Sequence, residues 1–459
     1  MTAVPPNPTP TGGVASSEAP PAPAGTGDGF SWRRFLMMSG LILVLGAGAV
    51  VLLWVIGSNL GLRATIIGIG AAILPVPILV VAFLWLGRYQ PTPAKYLVFA
   101  FAWGACVATS VSLGVNTFGG YLLSEQLGEG WLADTLTAVA VAPVIEELTK
   151  ALGPLLIFVF RRRYFTGIID GIVYCGLSAV GFAMMENILY LGGSFAMGDS
   201  MFGTAGGALT TAMLFVVRIV LTGFAHPLFT AMFGIGLGLA IRRRSLAAKI
   251  AVPTVMLLAS MVLHSAWNLF ASLSATVLAS GYLSIMVPIF ATTVGGALWL
   301  RASEARLAVH VLPDYVAGGW LSPPEVAALA TYRRRASARL WAKRVSGDEG
   351  LKAMREYQHV ATQLALLRDR YRRGLATPDD PAREHYLLTT LVACRGAFAG
   401  RDPSMPRAVW DGRYYQVQFP DGSVRQVNPP AQPVMPIPIA IDPFGGGYAR
   451  PPAMPWMRG

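Results

Sequence analysis

Charge is scarce in this 459-residue chain: 13% of its residues are Asp, Glu, Lys or Arg, about half the roughly 25% of an ordinary soluble domain. Beside 54% hydrophobic residues and a mean hydropathy of +0.52, that scarcity excludes a disordered protein and argues against a soluble globule. At about 150 residues per domain the length would suggest three domains. The composition points instead to a polytopic membrane protein with soluble ends. Cysteine is scarce too. Cys106, Cys175 and Cys394 lie far apart with no C-x-x-C pair, which excludes a disulfide framework and a cysteine zinc site and leaves three small buried hydrophobes. Apolar residues are nearly missing from positions 1 to about 29, so that stretch cannot bury a core and is expected to be disordered. It also lacks the basic-then-apolar opening of a signal peptide, so no cleavage is expected.

From Phe35 onward, long apolar runs alternate with short polar loops, each run near the roughly 20 residues that cross a bilayer. Spans are expected at about 35–56, 64–87, 96–118, 132–160, 167–192, 206–241, 249–270 and 281–300, giving an all-α protein with eight crossings. Loop charges check the parity, because Lys and Arg of short loops gather on the cytoplasmic side. With the N-terminus inside, the inside loops hold Arg33 and Arg34, Arg88 and Lys95, Arg161 to Arg163, Arg242 to Arg244 with Lys249, and Arg301 with Arg306. The outside loops hold Arg63 with Glu125, Glu129 and Asp199. Both termini are then cytoplasmic. The net charge of +12 is absorbed mainly by those inside loops, so anionic lipid headgroups are the expected partner of the rest and nucleic acid is not. The run 206–241 would be about 54 Å long as one helix. It is expected to be one tilted or broken helix, with Gly223 and Pro227 supplying the irregularity.

The chain therefore divides into a cytoplasmic tail (1–32), a membrane domain (33–301), a cytoplasmic helical module (302–400) and an end segment (401–459). Ser322-Pro-Pro-Glu325 has the form of a capping box and opens a helical stretch to about Arg344. Amphipathic stretches follow at about 348–373 and 381–398, then a hairpin at 414–427 and a Pro-rich, disordered tail from Asn428.

Ionisable residues inside spans cost about 2.5–3.5 kcal/mol each on insertion scales and are functional candidates by default. The fourth span carries Glu146, Glu147 and Lys150, the fifth Glu186 with Asn187, the sixth Arg218 and His226, and the seventh His264 and Asn268. Five formal charges facing lipid would cost on the order of 15 kcal/mol, so they must meet inside the bundle. Residues three or four apart share a helix face, so Glu146 and Glu147 both reach Lys150, and His264 reaches Asn268. Two carboxylates against one ammonium leave a carboxylate free to act as a general base, with histidine and amides to orient water or meet an oxyanion. Those are the parts of a hydrolase. Counting along the spans puts Glu186 and His264 within about two turns of the outer end, so the site is expected in the outer half of the bilayer. Each group also has a structural reading. Glu and Lys can lock two helices as an ion pair, Arg218 can simply neutralise Glu186, His226 can pack a helix, and Asp170 reads as a capping acid and Trp267 as packing. A proton-coupled transporter or a catalytically silent scaffold would draw on the same residues.

At these positions the sequence resembles the PrsW family of intramembrane proteases, a bacterial family distantly related to the type II CAAX prenyl protease and bacteriocin-processing group. The resemblance rests on Glu146-Glu-Leu-Thr-Lys150 as E-E-x-x-K, Phe182-Ala-Met-Met-Glu186-Asn187 as F-x-x-x-E-N, His226, and His264-Ser-Ala-Trp-Asn268 as H-x-x-W-N, with Asp170-Gly171 opening the span of Glu186. It covers about residues 35–300. It implies a bacterial plasma-membrane enzyme that hydrolyses a peptide bond in or beside the span of a single-pass membrane protein, such as an anti-sigma factor. In that reading Glu146 and Glu147 are core carboxylates, one of them activating water. Glu186, His226 and His264 complete the catalytic set, Asn268 and Asn187 orient groups or bind an oxyanion, and Lys150 and Arg218 support. No cofactor is expected: H-E-x-x-H is missing and the related prenyl-protease group looks metal-independent. Were a metal present, zinc on Glu146, Glu186, His226 and His264 is the expected set.

Overall fold

The computed structural model describes residues 32–87, 93–165, 167–241, 243, 245–374, 376, 378, 380–399, 401, 408–411, 413–418 and 424–428. The expected disordered tails lie outside them, save for Trp32 and Asn428. The chain divides into two units, Met1–Val44 and Leu45–Gly459. The described part of the first, residues 32–44, is helical.

The protein is all-α through its apolar region. Helix α1 (Trp32–Ile73) is broken at Gly61 and followed by α2 (Val76–Leu86). α3 (Ala94–Ala102) runs through a π-helical turn, Trp103–Ala108, into α4 (Thr109–Leu127). α5 (Trp131–Leu136) likewise runs through Thr137–Val141 into α6 (Ala142–Phe160). α7 (Ile168–Phe215) leads through π-helical Val216–Leu221 to a turn and α8 (Ala225–Ala240). α9 (Leu246–Leu273) and α10 (Ala275–Gly281) precede another π turn, Tyr282–Met286, and α11 (Val287–Val311).

Among the described residues, five stretches are long and apolar enough to cross a membrane: Ser39–Leu86, Ala94–Leu127, Ile168–Ala240, Leu246–Leu273 and Ala275–Ala317. The first and third, at 48 and 73 residues, far exceed the roughly 20 residues of one crossing. Each is interrupted by a glycine at positive φ, Gly61 (71°) and Gly203 (70°), a conformation that costs a side chain about 1–2 kcal/mol. The run 206–241 is interrupted as well: helix ends at Leu221 and resumes at Ala225.

α7 is the central element. Almost every residue from Ile168 to Ala183 is buried, so neighbours cover it on all sides. It meets α8 where Gly171 and Gly234 face each other, and a Cβ on either would fall 2.0–2.3 Å from the other's carbonyl oxygen. Only paired glycines allow that approach, which fixes the depth of His226 on α8 relative to Glu186 on α7.

Beyond α11 come α12 (Pro313–Ala317), α13 (Pro323–Leu329), α14 (Tyr332–Arg372) and α15 (Asp380–Gly396). They share a core that includes Leu312, Tyr315, Tyr357, Leu364, Leu388 and Phe398. Ser322 and Glu325 form a capping box, but the helix it opens stops at Leu329 and not near Arg344. Thr331 starts a new helix there, its side chain accepting from the Arg334 amide. α14 is itself broken at Ser346–Gly347, so a helix again begins near residue 348. Glu325 also pairs with Arg395 at 2.7 Å and accepts from Tyr357 Oη at 2.9 Å, all three buried. Strands β1 (Ala408–Trp410), β2 (Tyr415–Gln418) and β3 (Val424–Val427) form an antiparallel sheet in the order β1-β2-β3, with Tyr415 opposite Val427 and Ala408 opposite Val417. The expected hairpin is thus two strands of three.

Replacing Gly234 by Val should lower stability by about 1–3 kcal/mol through overpacking, measured by thermal unfolding in detergent. Gly296→Val, on α11 with nothing within 4 Å of its Cβ position, should stay within about 0.5 kcal/mol of the parent.

Candidate active site

Six helical segments contribute polar side chains to one cavity. Its volume is about 710 Å³, and its walls include Asn116 of α4, Glu146 of α6, Glu186 and Asn187 of α7, Arg218 of the π segment, His226 of α8, and His264 and Asn268 of α9. Trp267 also faces the cavity, while packing with Ala225, Phe229 and Met286. Glu147 and Lys150 are not on the wall. They lie behind it, with no exposed side-chain surface. Asp170 is buried in the first turn of α7, outside the cavity lining.

The hidden layer is organised by opposite charge. The Lys150 ammonium lies 2.9 Å from Glu147 Oε1, 3.2 Å from Glu146 Oε2 and 3.1 Å from His226 Nδ1. Its fourth neighbour is the Phe182 ring, 3.9 Å from Nζ, a favourable face for a desolvated cation. Glu147 is equally enclosed. Oε1 also meets His264 Nδ1 at 3.0 Å, while Oε2 accepts from Thr230 Oγ1 and Ser260 Oγ, both at 2.8 Å. A buried carboxylate is tolerable only when its lone pairs are taken in this way.

Partner chemistry sets the tautomers of the two histidines. A carboxylate only accepts, so His264 Nδ1 carries a proton and donates to Glu147, leaving a lone pair on Nε2. That nitrogen stands 3.8 Å from Glu146 Oε2. An ammonium only donates, so His226 Nδ1 accepts from Lys150 and Nε2 carries the proton. His226 Nε2 donates to Glu186 Oε2 at 2.8 Å. Arg218 closes the far side, giving NH2 to Glu186 Oε2 at 2.7 Å and Nε to Asn187 Oδ1 at 2.9 Å, with its guanidinium 3.9 Å from the Tyr190 ring. The neutralising role of Arg218 is therefore present in the structure. Asn268 Nδ2 donates to Ala138 O at 2.8 Å, a carbonyl inside the π turn Thr137–Val141, where the helical ladder is loosened.

Three carboxylates (Glu146, Glu147, Glu186) meet two cations (Lys150, Arg218). One negative charge is left for a proton or a bound cation to balance. Glu146, His226 and His264 offer donor atoms all within 4.8 Å of one another. Two histidines and a glutamate are a donor set that catalytic zinc accepts, and the Glu147–His264 hydrogen bond is the outer support such ligands carry. By donor type the residues fit a divalent ion, and two of the three are also partners of Lys150. Glu186 is not in that group, its carboxylate being held by Arg218 and His226.

Residues 92–293 match the family described as the PrsW family intramembrane metalloprotease. Over these residues the chain is similar to that family. A curated relative, Protease PrsW of Clostridioides difficile (strain 630), is 32% identical over 119 residues, which is 25% of this chain and 48% of the relative. The chain thus spans about half the length of the curated PrsW protein it matches. No solved structure matches it.

Three polar contributors escaped the sequence reading: Asn116, which donates to Glu146 Oε1 at 3.2 Å, and the Thr230 and Ser260 hydroxyls on Glu147. A signal existed. Thr230 follows His226 by four residues and Ser260 precedes His264 by four, so each shares a helix face with a histidine of the site. Removing either hydroxyl, by Thr230→Val or Ser260→Ala, should leave Glu147 short of a donor and cost about 1–3 kcal/mol of stability. Thermal unfolding in detergent measures this, with Thr254→Val as control because that exposed hydroxyl bonds only Ile250 O of its own helix.

Proposed function

We propose that the chain is an intramembrane endopeptidase of the bacterial plasma membrane. In this reading it hydrolyses a peptide bond in or beside the span of a single-pass protein, an anti-sigma factor being one such substrate. The observation that carries the reading is the pair Glu146 Oε2 and His264 Nε2, 3.8 Å apart on the wall of a roomy cavity. A water about 2.8 Å from each, an ordinary hydrogen-bond length, would bridge them. The family match over residues 92–293 supports the same reading.

In the proposed reaction Glu146 takes a proton from that water as its oxygen attacks the substrate carbonyl carbon. His264, fixed by Glu147, orients the water through its Nε2 lone pair. The developing oxyanion is met by amide N–H groups of Asn187, whose Oδ1 is already held by Arg218. Asn268 braces α9 against the π turn that precedes Glu146. When the tetrahedral adduct collapses, the C–N bond breaks and Glu146 returns the proton to the leaving amine. A divalent ion, if bound, would be held by Glu146, His226 and His264 and would increase the acidity of a bound water.

Eight crossings with both termini cytoplasmic are proposed on the loop charges together with the glycine breaks at Gly61 and Gly203, which divide the five apolar stretches into seven, with α5 to α6 as the eighth. On that topology the cavity lies in the outer half of the bilayer. Anionic headgroups would meet the basic inside loops.

A co-expressed single-span substrate should be clipped by the parent protein. Glu146→Gln or His264→Ala should slow cleavage by about 10²–10⁴-fold, the usual contribution of a general base, with membrane insertion unchanged. Undiminished cleavage by both variants would refute the assignment.

A further inference from the structure

The ammonium of Lys150 and the donor atoms suited to a divalent ion occupy the same small volume. Of the three residues that offer those donors, Glu146 and His226 are already bound to Nζ, through Oε2 at 3.2 Å and Nδ1 at 3.1 Å. The side chain reaches them from within, on the same helix as Glu146 and with no exposed surface. Its position is over-determined by Glu147 Oε1 at 2.9 Å and by the Phe182 face at 3.9 Å. We infer that Lys150 is a tethered cation that holds the metal position of this site, so that ammonium and divalent ion exclude each other.

Three physical points carry the inference. An ammonium only donates hydrogen bonds, so each donor atom it engages has a lone pair turned toward Nζ and unavailable to an ion. A divalent ion within a few ångström of an ammonium in a low-dielectric interior is strongly repelled. And the charge Lys150 supplies to Glu146 and Glu147 is the charge an ion would supply in its place. Among the three residues, His264 is the one with no hydrogen bond to Lys150, and it cannot hold an ion alone. Neutralising Lys150 should turn the cluster into a zinc site, while the unmodified side chain suppresses one. The inference concerns the site whose proteolytic role is proposed above, and zinc binding can be read whether or not any peptide is cut.

The test uses the full chain in detergent, stripped with chelator and titrated with zinc alone, with bound metal measured by equilibrium dialysis and elemental analysis. K150M should bind a single zinc about tenfold or more tightly than the parent, and K150R, which keeps the cation, should match the parent. Adding His264→Ala to K150M should remove the gain, placing the zinc at this cluster. K150Q is titrated in parallel, so that a K150M protein unable to fold leaves the comparison intact. Equal or weaker zinc binding by the folded neutral variants, or a gain that survives His264→Ala, would overturn the inference. Because cleavage is not measured, failure here and failure of the protease assignment are separate results.

Discussion

A positive charge with no access to water survives in an apolar bundle only where acceptors surround it, and the demands of Lys150 propagate through the domain. Its ammonium draws Glu146 and Glu147 from its own helix and His226 from α8. Glu147 in turn needs two hydroxyls and an imidazole, which arrive from α8 and α9. His226 donates its remaining N–H to Glu186 of α7, and Glu186 recruits Arg218 from the π segment. Breaking one member of such a buried set costs about 3–5 kcal/mol because it strands the others. The network that would do chemistry is therefore also what locks α6, α7, α8 and α9 at fixed depth.

Which residues would converge was legible because ionisable side chains in apolar runs are expensive. Glu146, Glu147, Lys150, Glu186, Arg218, His226 and His264 stand out of hydrophobic surroundings, and a shared need for partners brings them together. How they divide their work was not legible. Glu146 and Glu147 are neighbours in sequence, yet 100° of helical rotation sends one to the cavity wall and the other into the packed interior. Hydroxyls were hidden for a different reason. A Ser or Thr in a helix can satisfy itself on the preceding turn, as Thr254 and Thr137 do, so nothing local marks Thr230 and Ser260 as partners of a distant carboxylate. Helix interruptions were half legible. Thr331 has the residue type of a cap, but cap strength depends on a chain direction set by packing, so a helix expected to continue to Arg344 gives way at Ala330.

The π-helical turns bear on the site as well as on the backbone. An inserted residue rotates everything beyond it by about one residue's worth of helix and frees carbonyls from the ladder. Thr137–Val141 lies just before the helix of Glu146 and offers Ala138 O to Asn268, so the seventh expected span is bracketed to the fourth by a group that a regular helix would keep to itself. Val216–Leu221 carries Arg218 on a segment with little buried surface of its own. Its guanidinium is held instead by Glu186, Asn187 and the Tyr190 ring. Both irregular turns flank the cavity, where regular helix would be the cheaper structure.

The two histidines show why the adjacent glutamates and the lysine that follows them act as a unit. Each imidazole has two nitrogens and one mobile proton, and only a fixed partner on one side determines what the other side offers. Glu147 accepts from His264 Nδ1 and so presents an unprotonated Nε2 beside Glu146. Lys150 donates to His226 Nδ1 and so directs a proton toward Glu186. One helix thus supplies an acceptor to the first ring and a donor to the second from positions three residues apart, and the rings emerge as opposite tautomers on one cavity wall. Exchanging an acid for an amide at Glu147, or the ammonium for a neutral group at Lys150, would free one ring from its assignment without altering the identity of any side chain that faces the cavity. That is the physical sense in which two fully buried residues belong to a site they do not line.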